Sequence, residues 1–171
     1  HQGGMAQVKA EQLDDLHDLA AESGCVDLVD LEFFEEDRPL HKIKRLREMG
    51  VSVIASHHDF EQTPSSEVMK MLLEKMCAGG ADIVKLAVMP QNYKDVLNLL
   101  DVTAQFREEN PDTPVITMSM GSLGGISRIS GETFGSCVTF GAHEKPSAPG
   151  QFAMKELRQM LDTIHASSQI Q

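Results

Sequence analysis

The chain has 171 residues, of which 41% are hydrophobic and 24% charged, a composition typical of a soluble globular protein of about one domain. Its 26 acidic residues outnumber its 15 basic residues, and the net charge of −11 argues against a general binder of nucleic acid or of anionic membranes. No stretch approaches the roughly 18 continuous apolar residues of a membrane span and no signal peptide is recognisable, so we expect a cytoplasmic protein without nucleic-acid or membrane partners.

Short β-rich runs alternate with helical segments along the chain. The predicted strands are Val26–Phe33, Val51–His57, Ile83–Met89, Val115–Met120 and Cys137–Phe140. The predicted helices are Gln7–Glu22, Leu40–Met49, Ser66–Ala78, Asn92–Glu109 and Phe152–Ala166. This alternation predicts βαβ units, a parallel sheet and one α/β domain over residues 1–171. The pattern alone fits a doubly wound sheet and a barrel equally well.

The first predicted strand carries two carboxylates on one face. Asp30 and Glu32 alternate with Val29, Leu31 and Phe33, because successive side chains of a strand point to opposite faces. Such a pair indicates either catalytic acids or partners that balance buried cations, and the pattern leaves both open.

Two histidines follow at the end of the second predicted strand. Alternation places His58 on the face of Ile54 and Ser56, which is more polar than the face of His57. A histidine there can act as a general acid and base near neutral pH, and a surface pair is the alternative. A metal site at His57, His58 and Asp59 is disfavoured because neighbouring strand side chains point apart and no further ligand motif is present, so we expect no metal.

Lys85 interrupts a run, Ile83–Val88, that otherwise reads as a buried strand. Lysine is rarely buried unless it is paired. A low dielectric favours the neutral amine over the ammonium, and the neutral amine is the form that attacks a carbonyl group. A lysine that snorkels to solvent, or that pairs with a carboxylate, explains the sequence equally well.

The last third of the chain offers candidates for anion binding in two loops rich in glycine. Arg128 lies in the loop Gly121–Gly131, and its planar guanidinium can grip a carboxylate with two hydrogen bonds. Ser147 and Gln151 lie in the loop Gly141–Gln151, whose glycine and proline content suits a mobile lid. A solvated arginine and an ordinary loop before a helix are the alternatives.

The strongest candidates lie at the same edge of the predicted sheet. Lys85, His58 and Arg128 each lie at or after the carboxyl end of a predicted strand. Parallel α/β proteins place their sites at that edge, on loops from several strands.

Four motifs in order resemble the type I 3-dehydroquinate dehydratase family. They are Ser56-His57-His58-Asp59-Phe60 with Gln62-Thr63-Pro64, Gly80–Pro90, Pro114–Met120 with Ile126-Ser127-Arg128, and Phe134-Gly135-Ser136 through Ser147–Gln151. The resemblance implies an α/β protein of the (β/α)8 TIM-barrel type, here an incomplete barrel with about five of the eight strands. It also implies a lyase of the shikimate pathway that converts 3-dehydroquinate to 3-dehydroshikimate without a cofactor.

The same resemblance implies roles for five residues. Lys85 is similar to the family's Schiff-base lysine, and His58 is similar to its catalytic general acid and base. Arg128 would bind the carboxylate of the substrate, together with Ser147 and Gln151 of the closing loop.

Two departures from the family leave alternatives open. The family's glutamate that orients the catalytic histidine falls near Gln2, and about three strands of the barrel have no counterpart here. We therefore expect a homodimer, or association with a segment that supplies the missing strands. The alternative functions are a non-catalytic or partner-dependent shortened homologue, and another lyase or aldolase that uses a lysine Schiff base.

Overall fold

The structure is a computed structural model that describes residues 10–35 and 38–169. One parallel sheet has the order β1-β2-β3-β4, formed by β1 (Leu28–Glu32), β2 (Ser52–Asp59), β3 (Ile83–Val88) and β4 (Val115–Ser119). Each strand thus lies beside the strand that follows it in the chain. A sheet that grows in one direction is typical of a barrel wall, whereas a doubly wound sheet reverses its strand order.

The crossover helices agree with the prediction to within about two residues at their described ends. The helices of the described residues are α1 (Ala10–Glu22), α2 (Pro39–Glu48), α3 (Ser66–Ala78), α4 (Tyr93–Glu109), α5 (Gly125–Ile129), α6 (Gly131–Phe134) and α7 (Met154–Ser168). The predicted start of the first helix, residues 7–9, lies outside the described residues. None of these helices has the length and apolar character needed to cross a membrane.

The two faces of the sheet carry two separate apolar clusters. The helix-covered face carries the larger core, which includes Val29, Leu31, Val53, Ala55, Val84, Leu86, Val115, Met69, Leu73, Leu99 and Phe106. The opposite face, called the inner face below, carries a smaller apolar cluster of Ile54, Ala87, Ile116, Met118 and Met120. The predicted division of β2 is therefore confirmed, because Val53 and Ala55 pack under the helices while Ile54 lies on the inner face.

The prediction of a fifth strand at Cys137–Phe140 is wrong. The chain meets β4 there at an isolated bridge between Val115 and Ser136. The next outward donor of β4, the N–H of Thr117, bonds to the hydroxyl of Ser136 at 3.0 Å instead of to a backbone carbonyl. The serine side chain thus takes the place of a strand carbonyl and ends the ladder, a competition that β-propensity does not register.

At the other edge of the sheet, no strand within the described residues pairs with the outer side of β1. Helix α1 lies beside α2, to which it is joined by an ion pair of 2.9 Å between Asp18 and Arg45. Leu16 and Leu19 of α1 are 56% and 64% exposed, so this end of the molecule presents apolar surface. As far as the described residues go, the sheet is therefore open at β1.

Candidate active site

Lys85 is buried on the inner face, with 8% of its surface exposed. Its Nζ lies 2.7 Å from Oδ2 of Asp30 and 5.3 Å from the ring centre of Phe140. The strand register pairs Lys85 with Ser56, and Ser56 with Glu32, so one row of polar side chains crosses β3, β2 and β1. Lys85 is thus paired with a carboxylate instead of snorkelling to solvent.

Asp30 is held by two donors from neighbouring strands. Nζ of Lys85 donates to Oδ2, and the hydroxyl of Ser56 donates to Oδ1. Ser56 is 1% exposed, whereas the side chain of Asp30 is 41% exposed. Of the two interpretations of the β1 carboxylates, Asp30 therefore shows the balance of an internal cation.

The second carboxylate of β1, that of Glu32, forms hydrogen bonds with His58. Oε2 of Glu32 lies 2.6 Å from Nδ1 of His58, and Oε1 accepts the backbone N–H of His58 at 2.9 Å. The ring of Phe60 stacks on the imidazole, with ring centres 5.8 Å apart and planes 7° from parallel. Nδ1 of His57 also lies 3.4 Å from Oε1 of Glu32. One hydrogen bond at Nδ1 and one stacked ring thus fix the orientation of the His58 imidazole, and the backbone hydrogen bond holds Glu32 beside it.

Glu32 is ionised throughout the neutral range. Burial raises the pKa of its carboxyl, but the nearby His57 imidazole and the hydrogen bonds from His58 outweigh burial and hold that pKa at about 2. An ionised carboxylate can only accept, so Nδ1 of His58 carries the proton. Nε2 is then the basic nitrogen of the ring, which is the arrangement that a general base requires.

Arg128 lies on the short helix α5, whereas the sequence predicts a loop, and it is only 1% exposed. Its Nη2 donates to the carbonyl of Pro149 at 3.0 Å, and Nη1 lies 3.9 Å from the sulfur of Met118 on the inner face. Nε is buried without a hydrogen-bond partner, and no carboxylate among the described residues forms an ion pair with the guanidinium. Burial lowers the pKa of this guanidinium, which stays charged in the neutral range.

Close packing at the end of β4 explains why Arg128 points inward. The hydroxyl of Ser127 accepts the N–H of Ser119 at 2.9 Å, which ties α5 to the last residue of β4. A side chain at Gly124 would put its Cβ 1.9 Å from the carbonyl oxygen of Ser119, so only glycine allows this approach. Helix and strand are thereby locked together, and the residue that follows Ser127 in the helix is the arginine.

Ser147 and Gln151 bind each other in the closing loop. The side-chain oxygen of Gln151 accepts the N–H of Ser147 at 2.8 Å, and its amide donates to the Ser147 hydroxyl at 3.0 Å. Between them, Pro149 accepts hydrogen bonds from Arg128 and from the N–H of Gly121. The loop is therefore connected to Arg128 through its backbone, and its two side chains contact each other.

Three features of this site do not follow from the sequence. Alternation marks Glu32 as a carboxylate of the inner face but not as the partner of His58, while the family's glutamate falls near Gln2, outside the described residues. The pattern puts Ser56 on the correct face without a contact. Phe140 belongs to the strand that does not form, and its ring lies against Lys85. No group of three or more potential metal ligands is assembled within the described residues.

The fold and the site define a class of protein: a parallel βα sheet of barrel type with a lysine and a histidine, each held by its own carboxylate, beside a buried arginine. Comparison with known proteins identifies one family within that class. The family model of Type I 3-dehydroquinase matches residues 1–168, and the chain belongs to that family.

Curated relatives agree with this assignment. The chain is 45% identical over 165 residues to the 3-dehydroquinate dehydratase of Syntrophotalea carbinolica, and 46% identical to that of Salmonella typhimurium. Each alignment covers 96% of this chain but only 65% and 66% of the respective relatives. The chain thus spans slightly less than two thirds of the length of these relatives.

Solved structures extend the likeness to the fold. A type I 3-dehydroquinate dehydratase of Clostridium difficile, with covalently modified comenic acid, matches with a TM-score of 0.90 and 42% identity over 97% of this chain and 66% of that chain. The 3-dehydroquinate dehydratase of Geobacillus kaustophilus matches with a TM-score of 0.91 and 36% identity over 96% of this chain and 64% of that chain. The predicted family and the predicted partial TIM barrel are confirmed.

Proposed function

We propose that this chain carries the catalytic part of a lyase that dehydrates 3-dehydroquinate to 3-dehydroshikimate, a step of the shikimate pathway, through a Schiff base on Lys85. The observation that carries the proposal is the buried amine of Lys85 on the same sheet face as the oriented imidazole of His58. Family membership supports the reaction, and the covalently modified comenic acid of the C. difficile relative supports a covalent step.

In the proposed mechanism, Nζ of Lys85 attacks the C3 carbonyl carbon of the substrate and displaces its oxygen as water. The resulting iminium withdraws electrons and stabilises the charge that develops at C2 when the proton there is removed. Elimination of the C1 hydroxyl follows, and water then hydrolyses the iminium to release the product and the free lysine. The iminium formed on the lysine is the electron sink, so these reaction steps require no cofactor.

His58 is the proton carrier in this proposal. Its Nε2 takes the C2 proton and delivers a proton to the departing C1 hydroxyl, while Glu32 stabilises the imidazolium that forms between the two steps. The short contact of 2.6 Å between Nδ1 and Glu32 supports this role.

Arg128 is the proposed anchor for the carboxylate of the substrate. The support for this role is that the guanidinium is buried and has no acidic partner among the described residues. A buried cation is costly unless an anion pairs with it, and a bound carboxylate would supply that anion. Ser147 and Gln151 would exchange their mutual hydrogen bonds for contacts with the same carboxylate when substrate arrives.

The open edge of β1 and the exposed leucines of α1 support a further proposal, that the site is completed by another segment or by a second copy of the chain. Residues 1–171 would then form one partial barrel domain within that assembly. A cytoplasmic location stays a prediction.

The decisive experiment is reductive trapping at Lys85. The chain is incubated with 3-dehydroquinate and sodium borohydride, and the modified peptide is identified by mass spectrometry, with Lys85→Met and the exposed Lys155→Met as matched variants. We expect an irreversible adduct on Lys85 in the chain and in Lys155→Met, and none in Lys85→Met. A correctly folded chain that gains no adduct would refute the proposal.

One competing function is a homologue that binds the substrate without catalysis. The purified 171-residue chain distinguishes the two, because sustained formation of 3-dehydroshikimate excludes the non-catalytic alternative. A panel of keto acids distinguishes the dehydratase from an aldolase, which would cleave a carbon–carbon bond.

A further inference from the structure

Asp30 faces the amine of Lys85, and the reaction proposed above gives it no task. Its Oδ2 lies 2.7 Å from Nζ, while its Oδ1 accepts a hydrogen bond from Ser56. We propose that Asp30 is a catalytic residue whose carboxylate is the counter-ion of the protonated Schiff base, and that Ser56 is the positioning residue that keeps this carboxylate turned toward Nζ. The inference rests on the proposed Schiff base and adds the group that keeps it protonated.

The protonation state of the Schiff base decides whether it can act. When the Lys85 ammonium condenses with a ketone, the C–N bond forms, the C–O bond breaks, and two protons leave with the oxygen as water. The third proton stays on the nitrogen, which carries the positive charge of the iminium. An imine nitrogen is a much weaker base than an amine, and once neutral it no longer withdraws electrons effectively from C2. A carboxylate within about 4–6 Å favours the charged form.

The geometry of the free chain carries over to the intermediate. Ammonium and iminium present their N–H at the same atom, so the contact between Nζ and Oδ2 can persist after condensation. Lys85 is 8% exposed and is covered by the ring of Phe140, which reduces the screening of this ion pair by water. Among the described residues, Asp30 forms the ion pair with Nζ, while Glu32 is occupied by the two histidines.

Ser56 is needed because the packing around Asp30 does not fix its carboxylate. The side chain of Asp30 is 41% exposed and lies on the edge strand of the described sheet. Ser56 is 1% exposed and lies in register with Lys85 on the neighbouring strand. Its hydroxyl donates to Oδ1, which leaves Oδ2 directed at Nζ. A rigid central strand thus orients a carboxylate that is otherwise free to rotate.

Other ionisable groups lie on or beside the inner face and must be held constant in a test. Strand β1 presents a second carboxylate, β2 presents an imidazole, and helix α5 brings a guanidinium against β4, whereas β4 itself presents apolar side chains. These groups are Glu32, His58 and Arg128. Variants of Asp30 and Ser56 leave all three in place.

Two hydride donors distinguish the protonated Schiff base from the total amount of Schiff base, protonated and neutral together. Cyanoborohydride reduces the iminium and leaves the neutral imine, whereas borohydride reduces both. The chain and its variants Asp30→Asn, Ser56→Ala and Ser56→Thr are mixed with 3-dehydroquinate between about pH 6 and about pH 9. The exposed Asp162→Asn is the control. The adduct on Lys85 is quantified with each donor, and circular dichroism verifies folding.

We expect the ratio of cyanoborohydride to borohydride adduct to stay nearly constant over this range in the chain, in Asp162→Asn and in Ser56→Thr. In Asp30→Asn the ratio should fall about tenfold or more as the pH rises, with a smaller fall in Ser56→Ala. The same pH dependence in Asp30→Asn as in the chain overturns the counter-ion role and leaves the Schiff base intact. No borohydride adduct in the unsubstituted chain overturns the Schiff base and this inference together. If Asp30→Asn does not fold, equal ratios in Ser56→Ala and Ser56→Thr overturn the positioning role and, with it, the proposal.

Discussion

The two sides of the inner face differ in whether their basic side chains have an acidic partner. On the side of β1, β2 and β3, Lys85 contacts Asp30 and His58 contacts Glu32. On the side of β4, Arg128 is even more deeply buried but has no acidic partner among the described residues, and its Nε has no hydrogen bond. The first side thus has its ion pairs in the free chain, whereas the described residues supply none to Arg128.

Under the proposed function, this difference distinguishes the groups that react, Lys85 and His58, from the group that binds, Arg128. A reacting amine or imidazole needs a fixed carboxylate in every step, because its charge changes during the cycle. An arginine that holds a substrate carboxylate must keep its donors free for that carboxylate. The chain has 26 acidic residues, so a shortage of carboxylates does not explain why Arg128 has no acidic partner among those described.

Replacement of His58 by asparagine tests the reactive side and should have the largest effect. Asparagine keeps a polar side chain but cannot carry a proton between C2 and the leaving hydroxyl. We expect the rate of 3-dehydroshikimate formation to fall by about 10²- to 10⁴-fold, with borohydride trapping at Lys85 still detectable. The exposed His41→Asn is the control and should keep the full rate. A loss of less than about tenfold in His58→Asn would assign the proton transfer to another group.

Replacement of Arg128 by methionine tests the binding side, with opposite effects on binding and stability. Loss of the charged donors should weaken binding of 3-dehydroquinate by about 10- to 100-fold in calorimetry. Removal of an unpaired buried charge should also raise the free energy of unfolding without ligand, by about 1–3 kcal/mol in urea titrations. Arg158→Met, at a highly exposed arginine, should change neither quantity. Destabilisation by Arg128→Met would mean that the guanidinium is already satisfied in the free chain.

The two sides of the inner face also differ in how much of each can be predicted from the sequence. Alternation along β1 and β2 places Asp30, Glu32, Ser56 and His58 on one face, because strand periodicity is a local property. The pairing of Glu32 with His58 depends on the register between two strands that helix α2 separates in the chain. Periodicity carries no information on that register.

The β4 side was harder to predict because its geometry comes from irregular backbone. The sequence points to Arg128 as an anion-binding candidate, but not to the helix that carries it. That helix follows from the close approach of Gly124 to Ser119, and the missing fifth strand follows from the hydroxyl of Ser136. Such contacts of single side chains with the backbone compete with regular pairing, and propensity alone does not reveal them.

The stability of the reactive side should depend on pH through Glu32. Its pKa is lowered from 4.5 to about 2, so the carboxylate stabilises the fold fully above about pH 4.5, and this contribution is lost as the pH falls toward 2. The expected loss is on the order of 3 kcal/mol in the free energy of unfolding. Urea titrations at several pH values should show this loss, and Glu32→Gln should remove that part of the pH dependence. An unchanged acid profile in Glu32→Gln would contradict the low pKa.

The smallest expected effect concerns the loop that joins the binding side, at Gly150. This residue has a φ of +77°, and a Cβ there would lie 2.2 Å from the carbonyl oxygen of Gly121. Gly24 provides a matched control, since its φ is +65° and an added Cβ would meet nothing within 4 Å. Both alanine variants should share the cost of the left-handed backbone, roughly 1 kcal/mol. Only Gly150→Ala should also push Pro149 away from Arg128, and it should therefore speed hydrogen exchange in residues 147–151 and weaken substrate binding several-fold. Equal behaviour of the two variants would show that the loop does not need its contact with Gly121 to hold the arginine.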